Sequence, residues 1–361
     1  MADSRAQIVF GIIGSGWRTE FFLRIAAALP ERFSVSGVVS RRAEARADLT
    51  ARFGVRTFAT LDELIAGHTP SFVVVSVPRE AAPGVIRDVV SRGLPVLTET
   101  PPADDVRTLG SLSRLVDDGA IIQVAEQYHL QPMLRTQIDI AGSGVLGDVS
   151  QAQVSVAHDY HGINLIRRFL GIGFEDATIT AASFSSPIVL GPGRDGLGPK
   201  EQVIRSEQVI ARLDFGDRLG VYDFTEEQYR SWIRAPRVLV RGTRGEIVGG
   251  RVDYLEDFRT PVGYDIERVS TGQGSNLEGY FLRGLRAGGR WVYQNEFAPA
   301  RLADDEIAIA SCLVGMQKHV EGGPAFSSLA DAAQDQYLQL MVRRAVETGE
   351  PVRTTRQAWA G

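Results

Sequence analysis

Residues 8–20 read Ile-Val-Phe-Gly-Ile-Ile-Gly-Ser-Gly-Trp-Arg-Thr-Glu and decide the fold of the first part of this 361-residue chain. The apolar run that ends at Ile13 predicts a buried strand, and the pattern from Phe21 onward predicts a helix. Between them, Gly14 permits a tight turn and Gly16 lets a phosphate approach the backbone. The first N–H groups of a helix and its dipole attract an anion, so the stretch predicts a dinucleotide pyrophosphate site.

The turn departs from the G-x-G-x-x-G pattern at one position, because Thr19 stands where the third glycine is usual. An ordinary strand-turn-helix is the alternative interpretation of so short a motif. Its place at the start of a series of alternating strands and helices favours the nucleotide-binding interpretation. We expect the cofactor to contact Gly14, Ser15, Gly16, Trp17 and Arg18. Packing against a neighbouring loop is the alternative interpretation of Trp17 and Arg18.

Residues 1–126 alternate strand and helix with the spacing of a doubly wound parallel sheet, which predicts a Rossmann domain. The segment 71–77 is almost continuously apolar and β-branched, as is typical of a strand buried on both faces. From 127 to 361 the pattern changes to antiparallel strand pairs and separate helices. This second part predicts an α+β domain on a mostly antiparallel sheet, and its Gly- and Pro-rich residues 185–202 predict a long loop.

The composition is that of an ordinary globular protein: 44% of the residues are hydrophobic, 23% are charged and the formal net charge is −5. No basic cluster stands out, so nucleic acid and anionic membranes are not expected as partners. One cysteine, Cys312, excludes an internal disulfide framework and fits a reducing compartment. Since we find neither a long apolar run nor a cationic leader, we expect a cytoplasmic protein that does not span a membrane.

Motifs distributed over the whole chain resemble those of the Gfo/Idh/MocA oxidoreductases, the family named after glucose–fructose oxidoreductase and inositol dehydrogenase. The matching segments are 11–16, 99–101, 144–149, 161–171, 242–246 and 349–352. The resemblance implies a nicotinamide cofactor and a sugar, polyol or sugar derivative as substrate. It also implies a homodimer or homotetramer that associates through the open face of the C-terminal sheet. The cofactor contacts expected beyond the phosphate turn are Val77, Pro78, Glu99, Thr100, Pro101 and Glu126.

The chain departs from the family pattern at several positions of the expected active site. Thr100 stands where the family usually has a lysine between nicotinamide and substrate, and a threonine hydroxyl is a poor base at neutral pH. In the family's Asp-x-Gly-x-His pattern, His161 keeps the histidine, while Ala157 and Asp159 replace the aspartate and the glycine. Asn164 replaces an aspartate that follows. These departures argue against a simple alcohol dehydrogenase of the usual type, but not against cofactor binding.

His161 is the leading candidate for acid–base catalysis, because the helix that it opens matches the helix with the family's catalytic histidine. Asp159 and Tyr160 are candidate helpers, and Asn164 lies on the same helical face, where it is expected to hydrogen-bond the imidazole. A histidine that only caps the helix is the structural alternative. His158 and His161 resemble a metal-binding pair, but no third ligand follows at typical spacing, so no metal site is expected.

Further substrate contacts are expected near the end of the sixth strand and the start of this helix. The candidates are Tyr128, His129, His158 and Asn164. A polar linker between the domains is the alternative interpretation of the residues around Tyr128.

Cofactor choice depends on the residues after the second strand, where an NAD site normally has a carboxylate for the ribose hydroxyls. Here the chain reads Ser40-Arg41-Arg42. A hydroxyl and two guanidinium groups suit a 2′-phosphate, so NADP(H) is favoured over NAD(H). The alternative is that Arg41 stacks on adenine, which also occurs with NAD.

Three functional hypotheses remain open from the sequence. The first is an NAD(P)-dependent oxidoreductase that acts on a sugar, polyol or sugar derivative by hydride transfer, with His161 as acid and base. The second is a redox-neutral sugar lyase, hydrolase or epimerase that holds its cofactor tightly. The third is a cofactor-binding protein without catalytic activity.

Overall fold

The computed structural model describes residues 6–194, 196–272, 274 and 277–361. The N-terminal part consists of β1 (Ile8–Ile13), α1 (Trp17–Ala28), β2 (Phe33–Val39), α2 (Ala43–Phe53), β3 (Thr57–Phe58), α3 (Leu61–Gly67), β4 (Phe72–Val75), α4 (Ala82–Ser91), β5 (Val96–Thr98), α5 (Val106–Asp117) and β6 (Ile122–Val124).

These six strands form one parallel sheet in the order β3-β2-β1-β4-β5-β6, which confirms the predicted Rossmann domain. All four residues of β4 are buried, as expected for a central strand with helices on both faces. The strand order reverses between β1 and β4, and ligands of such sheets bind beyond the carboxyl ends of the strands at this point. Because Ile13 is paired with both Val39 and Val75, these strands end side by side there.

The C-terminal part consists of α6 (Pro132–Gly142), β7 (Val149–Ser155), α7 (Asp159–Leu170), β8 (Thr178–Val189), β9 (Val203–Asp214), β10 (Leu219–Thr225), β11 (Arg237–Gly242), β12 (Gly245–Val248), β13 (Arg251–Asp257), β14 (Thr260–Asp265), β15 (Glu267–Ser270), β16 (Leu282–Ala287), β17 (Arg290–Gln294), α8 (Asp304–Val320), α9 (Leu329–Thr348) and β18 (Val352–Arg353).

Nine of these strands form a second sheet in the order β14-β13-β12-β11-β7-β10-β9-β8-β18. Only the β7–β10 pair is parallel, so the predicted α+β domain on a mostly antiparallel sheet is confirmed. The helices α7 and α9 pack on one face of this sheet. A smaller antiparallel sheet joins β15, β16 and β17.

The long loop predicted for residues 185–202 is shorter in the structure, because β8 continues to Val189. Pro187 does not interrupt this strand. Its partner on one side is Arg205 of β9, whereas β18 pairs with β8 only at Thr178 and Ile179. The strand is therefore an edge at Pro187, where a missing backbone N–H is tolerated.

The hydrophobic core of the Rossmann domain includes residues from the far end of the chain. Phe10 and Phe22 belong to the same buried cluster as Phe297, Ile307 and Leu313. The helix α8 thus covers the parallel sheet beside α1, although it follows the second sheet in sequence. The division at residue 126 stays a prediction, and the packing shows that the first 126 residues share their core with the rest.

Candidate active site

The turn between β1 and α1 needs its two glycines for different reasons. Gly14 has a φ of +131°, and a Cβ atom on it would lie 1.8 Å from the carbonyl oxygen of Ser76 at the end of β4. Gly16 has an ordinary φ of −83°, and a Cβ atom there would meet nothing within 4 Å. Gly14 is therefore required by the fold, whereas Gly16 borders open space.

The start of α1 lies where the sequence predicts an anion-binding site. Gly16 is the N-cap of this helix and gives no side-chain hydrogen bond to its first turn. The uncapped N–H groups and the open space beside Gly16 fit the pyrophosphate of a dinucleotide.

The residues expected to choose between NAD and NADP lie next to this turn. Ser15 Oγ is 3.0 Å from Ser40 Oγ and accepts a 3.3 Å hydrogen bond from Arg42 Nη2. Arg46, one helical turn after Arg42, donates to the carbonyl oxygens of Ser40 and Arg41 at 2.7 and 3.1 Å. The structure thus brings Ser15, Ser40 and Arg42 together, and Arg46 joins them.

Arg18 and Trp17 both contact other side chains of the protein. Arg18 Nε donates a 2.9 Å hydrogen bond to Glu99 Oε1, so these two expected cofactor ligands neutralise each other. Trp17 is 49% exposed; its ring lies edge-on to Phe21 at 5.4 Å, and the Arg194 guanidinium lies 4.0 Å from the ring centroid.

His161 pairs with Glu126 across the boundary between the two sheets. The imidazole Nδ1 lies 2.5 Å from Glu126 Oε2, and only 4% of His161 and 2% of Glu126 is exposed. Glu126 follows β6 at the ligand edge of the parallel sheet, and its other oxygen accepts the backbone N–H of Tyr128 at 3.1 Å. A carboxylate only accepts, so this contact assigns the Nδ1 proton and leaves Nε2 for another partner.

Three aromatic rings surround the His161 imidazole. The ring centroids of Tyr160, Tyr128 and His158 lie 4.4, 4.6 and 4.9 Å from it. These contacts bring together two predicted substrate ligands, Tyr128 and His158, and one predicted helper, Tyr160. Packing on several sides fixes the orientation of the imidazole.

His158 is held in its neutral form. Its backbone N–H donates to Tyr229 Oη at 2.9 Å, and its Nδ1 lies 2.5 Å from the same oxygen, so the tyrosine hydroxyl donates to Nδ1. Burial, followed by the charges of His161 and Arg79, lowers the pKa of His158 to about 3. Burial also raises the pKa of Tyr229 to about 12. This pair therefore fixes a hydrogen-bond direction beside His161 at neutral pH.

Thr100 contacts the site through Tyr160. Burial raises the pKa of the Tyr160 hydroxyl, and the hydrogen bond with the Thr100 side chain and the charge of Arg79 oppose this rise. Arg79, which follows Pro78 beyond β4, lies 3.5 Å from the Tyr160 hydroxyl. Thr100 thus orients Tyr160.

The prediction of a hydrogen bond between Asn164 and His161 is wrong. Asn164 and Asp159 both bond to residues of α9 instead. Asn164 donates to Asp335 Oδ2 at 2.7 Å on α9 and accepts from Arg168 at 3.0 Å. Asp159 Oδ1 accepts a 2.7 Å hydrogen bond from Gln339. The φ of Asp159 is +48°, which explains why the family pattern has glycine there.

His129 does not join the group around His161. It is buried in a short 3₁₀ turn, and its Nδ1 has no hydrogen-bond partner among the described residues. Burial, with the charges of Arg168 and Arg135, holds the pKa of His129 well below its usual range. Its neutral ring is part of the packing beside the site.

A cavity of about 350 Å³ opens next to His158 and Asp159. Tyr222 and Phe224 of β10 give it an apolar side, and Glu207 and Glu226 contribute carboxylates. Aromatic surface with a few polar acceptors is typical of a small-molecule site, and carboxylates accept hydrogen bonds from hydroxyl groups.

Over the described ranges, no three or more His, Cys, Asp or Glu side chains gather in a group that could hold a metal ion. Among the helices in the same ranges, none is both long and apolar enough to cross a bilayer.

The pairing of Glu126 with His161 and the role of Tyr229 were missed by the sequence analysis. The sequence predicts Glu126 as a cofactor contact, but nothing in its local sequence shows that it faces His161. Tyr229 is 71 residues from His158 and lies in a short turn after β10. Arg46 could have been found, because it repeats the charge of Arg42 one helical turn later.

Residues 8–126 match the model of the Gfo/Idh/MocA oxidoreductase family, described as an NAD-binding Rossmann fold. No curated protein sequence matches the chain. Levoglucosan dehydrogenase in complex with NADH has a TM-score of 0.69 at 15% identity, over 97% of this chain and 100% of that chain. A putative myo-inositol dehydrogenase from Sinorhizobium meliloti has a TM-score of 0.66 at 14% identity, over 97% and 100%.

The WlbA dehydrogenase from Bordetella pertussis, in complex with NADH and UDP-GlcNAcA, has a TM-score of 0.64 at 14% identity, over 97% of this chain and 99% of that chain. At these identities the likeness to solved structures shows the fold, and it extends over both sheets. The family model covers the domain that holds the glycine turn and Glu126. Residues 8–126 thus match the NAD-binding domain of the Gfo/Idh/MocA oxidoreductases, and the fold of the whole chain is similar to that of levoglucosan dehydrogenase.

Proposed function

We propose that this protein is an NADP(H)-dependent oxidoreductase that acts on a sugar, polyol or sugar derivative, with His161 as its acid and base. The observation that carries the proposal is the buried 2.5 Å contact between His161 Nδ1 and Glu126 Oε2. A carboxylate at one ring nitrogen fixes the tautomer and stabilises the imidazolium, as in other histidine-carboxylate pairs. The opposite nitrogen, Nε2, then exchanges a proton with a substrate hydroxyl.

His161 takes over the proton transfer that a lysine performs in the usual family pattern. Thr100 cannot supply a positive charge, and it hydrogen-bonds Tyr160. When the substrate hydroxyl loses its proton to Nε2, the Glu126 carboxylate balances the new charge on the ring. Tyr160 and Tyr128 keep the imidazole in place, and with His158 they limit the access of water to it.

The cofactor is held by the glycine turn and by the arginines after β2. A bound nicotinamide supplies the hydride acceptor or donor for the substrate carbon. After β2, where an NAD site normally has a carboxylate, this chain has a serine and three arginines: Ser40, Arg41, Arg42 and Arg46. Within the described residues, none of these guanidinium groups has a carboxylate partner, which favours a 2′-phosphate as the missing anion.

The substrate class is supported by the cavity beside His158 and by the relatives. Levoglucosan dehydrogenase and the putative myo-inositol dehydrogenase share the fold over nearly the whole chain. Carboxylates and aromatic rings around one cavity suit a ligand with many hydroxyl groups and an apolar ring face.

The decisive experiment compares the wild type with His161→Asn on a panel of sugars and polyols with NADP⁺, followed by the absorbance of reduced nicotinamide. We expect a fall in turnover of about two to four orders of magnitude with NADPH affinity unchanged. A His161→Asn variant as active as the wild type would overturn the assignment. Cofactor that survives dialysis, together with sugar conversion but no net reduction, would instead support the redox-neutral alternative.

A further inference from the structure

The loop between β8 and β9 belongs to the C-terminal part of the chain. One of its residues, Arg194, contacts Trp17 next to the phosphate turn of the Rossmann domain. The base of the loop is closed by a 2.8 Å hydrogen bond from Leu190 N–H to the Gln202 carbonyl. Gly193 and Gly196 exchange backbone hydrogen bonds of 2.9 and 3.3 Å, which makes a tight turn around Arg194. The backbone therefore presents Arg194 at the end of the loop.

The side chain of Arg194 packs on Trp17, the first residue of α1. Its guanidinium carbon is 4.0 Å from the centroid of the Trp17 ring, the shortest distance for a cation over an aromatic ring among the described residues. Trp17 directly follows Gly16, the uncapped N-terminus at which the pyrophosphate is expected. Planar guanidinium groups stack well on tryptophan and bind phosphate oxygens with two parallel hydrogen bonds.

The charges around the turn show why a second arginine is useful here. Arg18, the arginine within the turn, is neutralised by Glu99 at 2.9 Å. Arg194 has no carboxylate within ion-pair distance in the described part of the chain. Because a dinucleotide pyrophosphate carries negative charge, Arg194 offers it a further cation beside the helix dipole, in addition to Arg42, which bonds Ser15 of the turn.

We propose that Arg194, stacked on Trp17, binds the cofactor pyrophosphate beside the phosphate turn and thereby slows the release of the cofactor. The proposal rests on the cofactor site of the proposed function and adds a residue from the other domain to it. It also assigns Trp17 a role as the platform for Arg194.

The first experiment measures the release of NADPH and NADH by stopped-flow fluorescence, with excess NADP⁺ or NAD⁺ as the chase. Arg194→Ala should increase the release rate of both cofactors by roughly tenfold, because the pyrophosphate is common to both. Arg234→Ala is the matched control: it removes the same charge from an exposed arginine whose guanidinium bonds only the Ile233 carbonyl among the described residues. Equal effects of the two variants, or no effect of Arg194→Ala, would overturn the proposal.

A double-mutant cycle tests whether Arg194 acts through Trp17. Trp17→Leu should also accelerate release, and the double variant should be little faster than Arg194→Ala alone, since both changes break one contact. Fully additive effects would contradict the stacked arrangement. A wild type that binds neither cofactor would refute the proposed function itself, whereas tight binding that is insensitive to Arg194 would refute only this inference.

Discussion

The predicted cofactor side and the proposed reacting side of the candidate site are built in different ways. The cofactor side takes Gly14, Gly16 and Ser40 from the ends of two adjacent strands, where main-chain conformation shapes the site. On the reacting side, a side-chain contact between the two domains joins Glu126 to His161. The rings of Tyr128, His158 and Tyr160 then pack around His161. A site of the first kind leaves a pattern in a short stretch of sequence. A site of the second kind exists only after the domains have packed.

The largest expected effect tests the cofactor side through its two glycines. Gly16→Val should abolish NADPH binding while the melting temperature stays close to that of the wild type, because the new side chain enters open space needed only by the ligand. Calorimetric titration and thermal unfolding measure the two quantities.

Gly14→Val is the matched variant, and it should destabilise the protein itself. Its Cβ atom would lie 1.8 Å from the Ser76 carbonyl oxygen in a left-handed backbone conformation. A Gly16→Val protein that titrates NADPH like the wild type would show that the cofactor binds elsewhere.

On the reacting side, Glu126→Gln should lower kcat by about tenfold to a hundredfold, since a hydrogen bond to a charged group contributes roughly 1.5–3 kcal/mol. The amide keeps the size of the side chain but cannot balance a positive imidazole. KM and NADPH affinity should change little, and Glu126→Asp should recover part of the rate. A large change in cofactor affinity with kcat intact would identify Glu126 as a cofactor ligand and not as the partner of His161.

The sequence was sufficient to predict the architecture, and the predicted residues of the cofactor side stay a prediction. Strand and helix periodicity predicted both sheets. The predicted start of the loop at residue 185 was wrong. Pro187 weakens the local strand pattern, but β8 pairs with β9 along its whole length and therefore continues to Val189.

The reacting side was predicted only where a family motif marks a residue. His161 was found through its helix, but its partner was misassigned to Asn164 on the basis of helical spacing. Spacing shows which side chains share a face and not what that face meets. The Asn164 side chain bonds Asp335 of α9, 171 residues away, and no local rule predicts that contact.

A smaller effect is expected from the residues that choose the cofactor. Arg41→Ala should weaken NADPH binding by about tenfold and leave NADH binding nearly unchanged, because a guanidinium contact to phosphate is charge-assisted. Dissociation constants from fluorescence titration at one ionic strength measure both. An equal loss for the two cofactors would mean that Arg41 stacks on adenine, and the preference for NADP(H) would then have no basis at this residue.

The smallest effect concerns pH and the neutral state of His158. Its pKa is about 3 in the folded protein and near 6.5 when unfolded, so between these values the unfolded state binds more protons. Stability should therefore fall as the pH drops below about 6.5.

His158→Gln removes this contribution, so its melting temperature should depend less on pH than that of the wild type. His68→Gln, at an exposed histidine, is the control and should keep the wild-type slope. Part of the slope should remain in His158→Gln because His129 is also buried in its neutral form. An unchanged slope in His158→Gln would mean that His158 takes up its proton in the folded protein, and that the hydrogen bond from Tyr229 does not fix it beside His161.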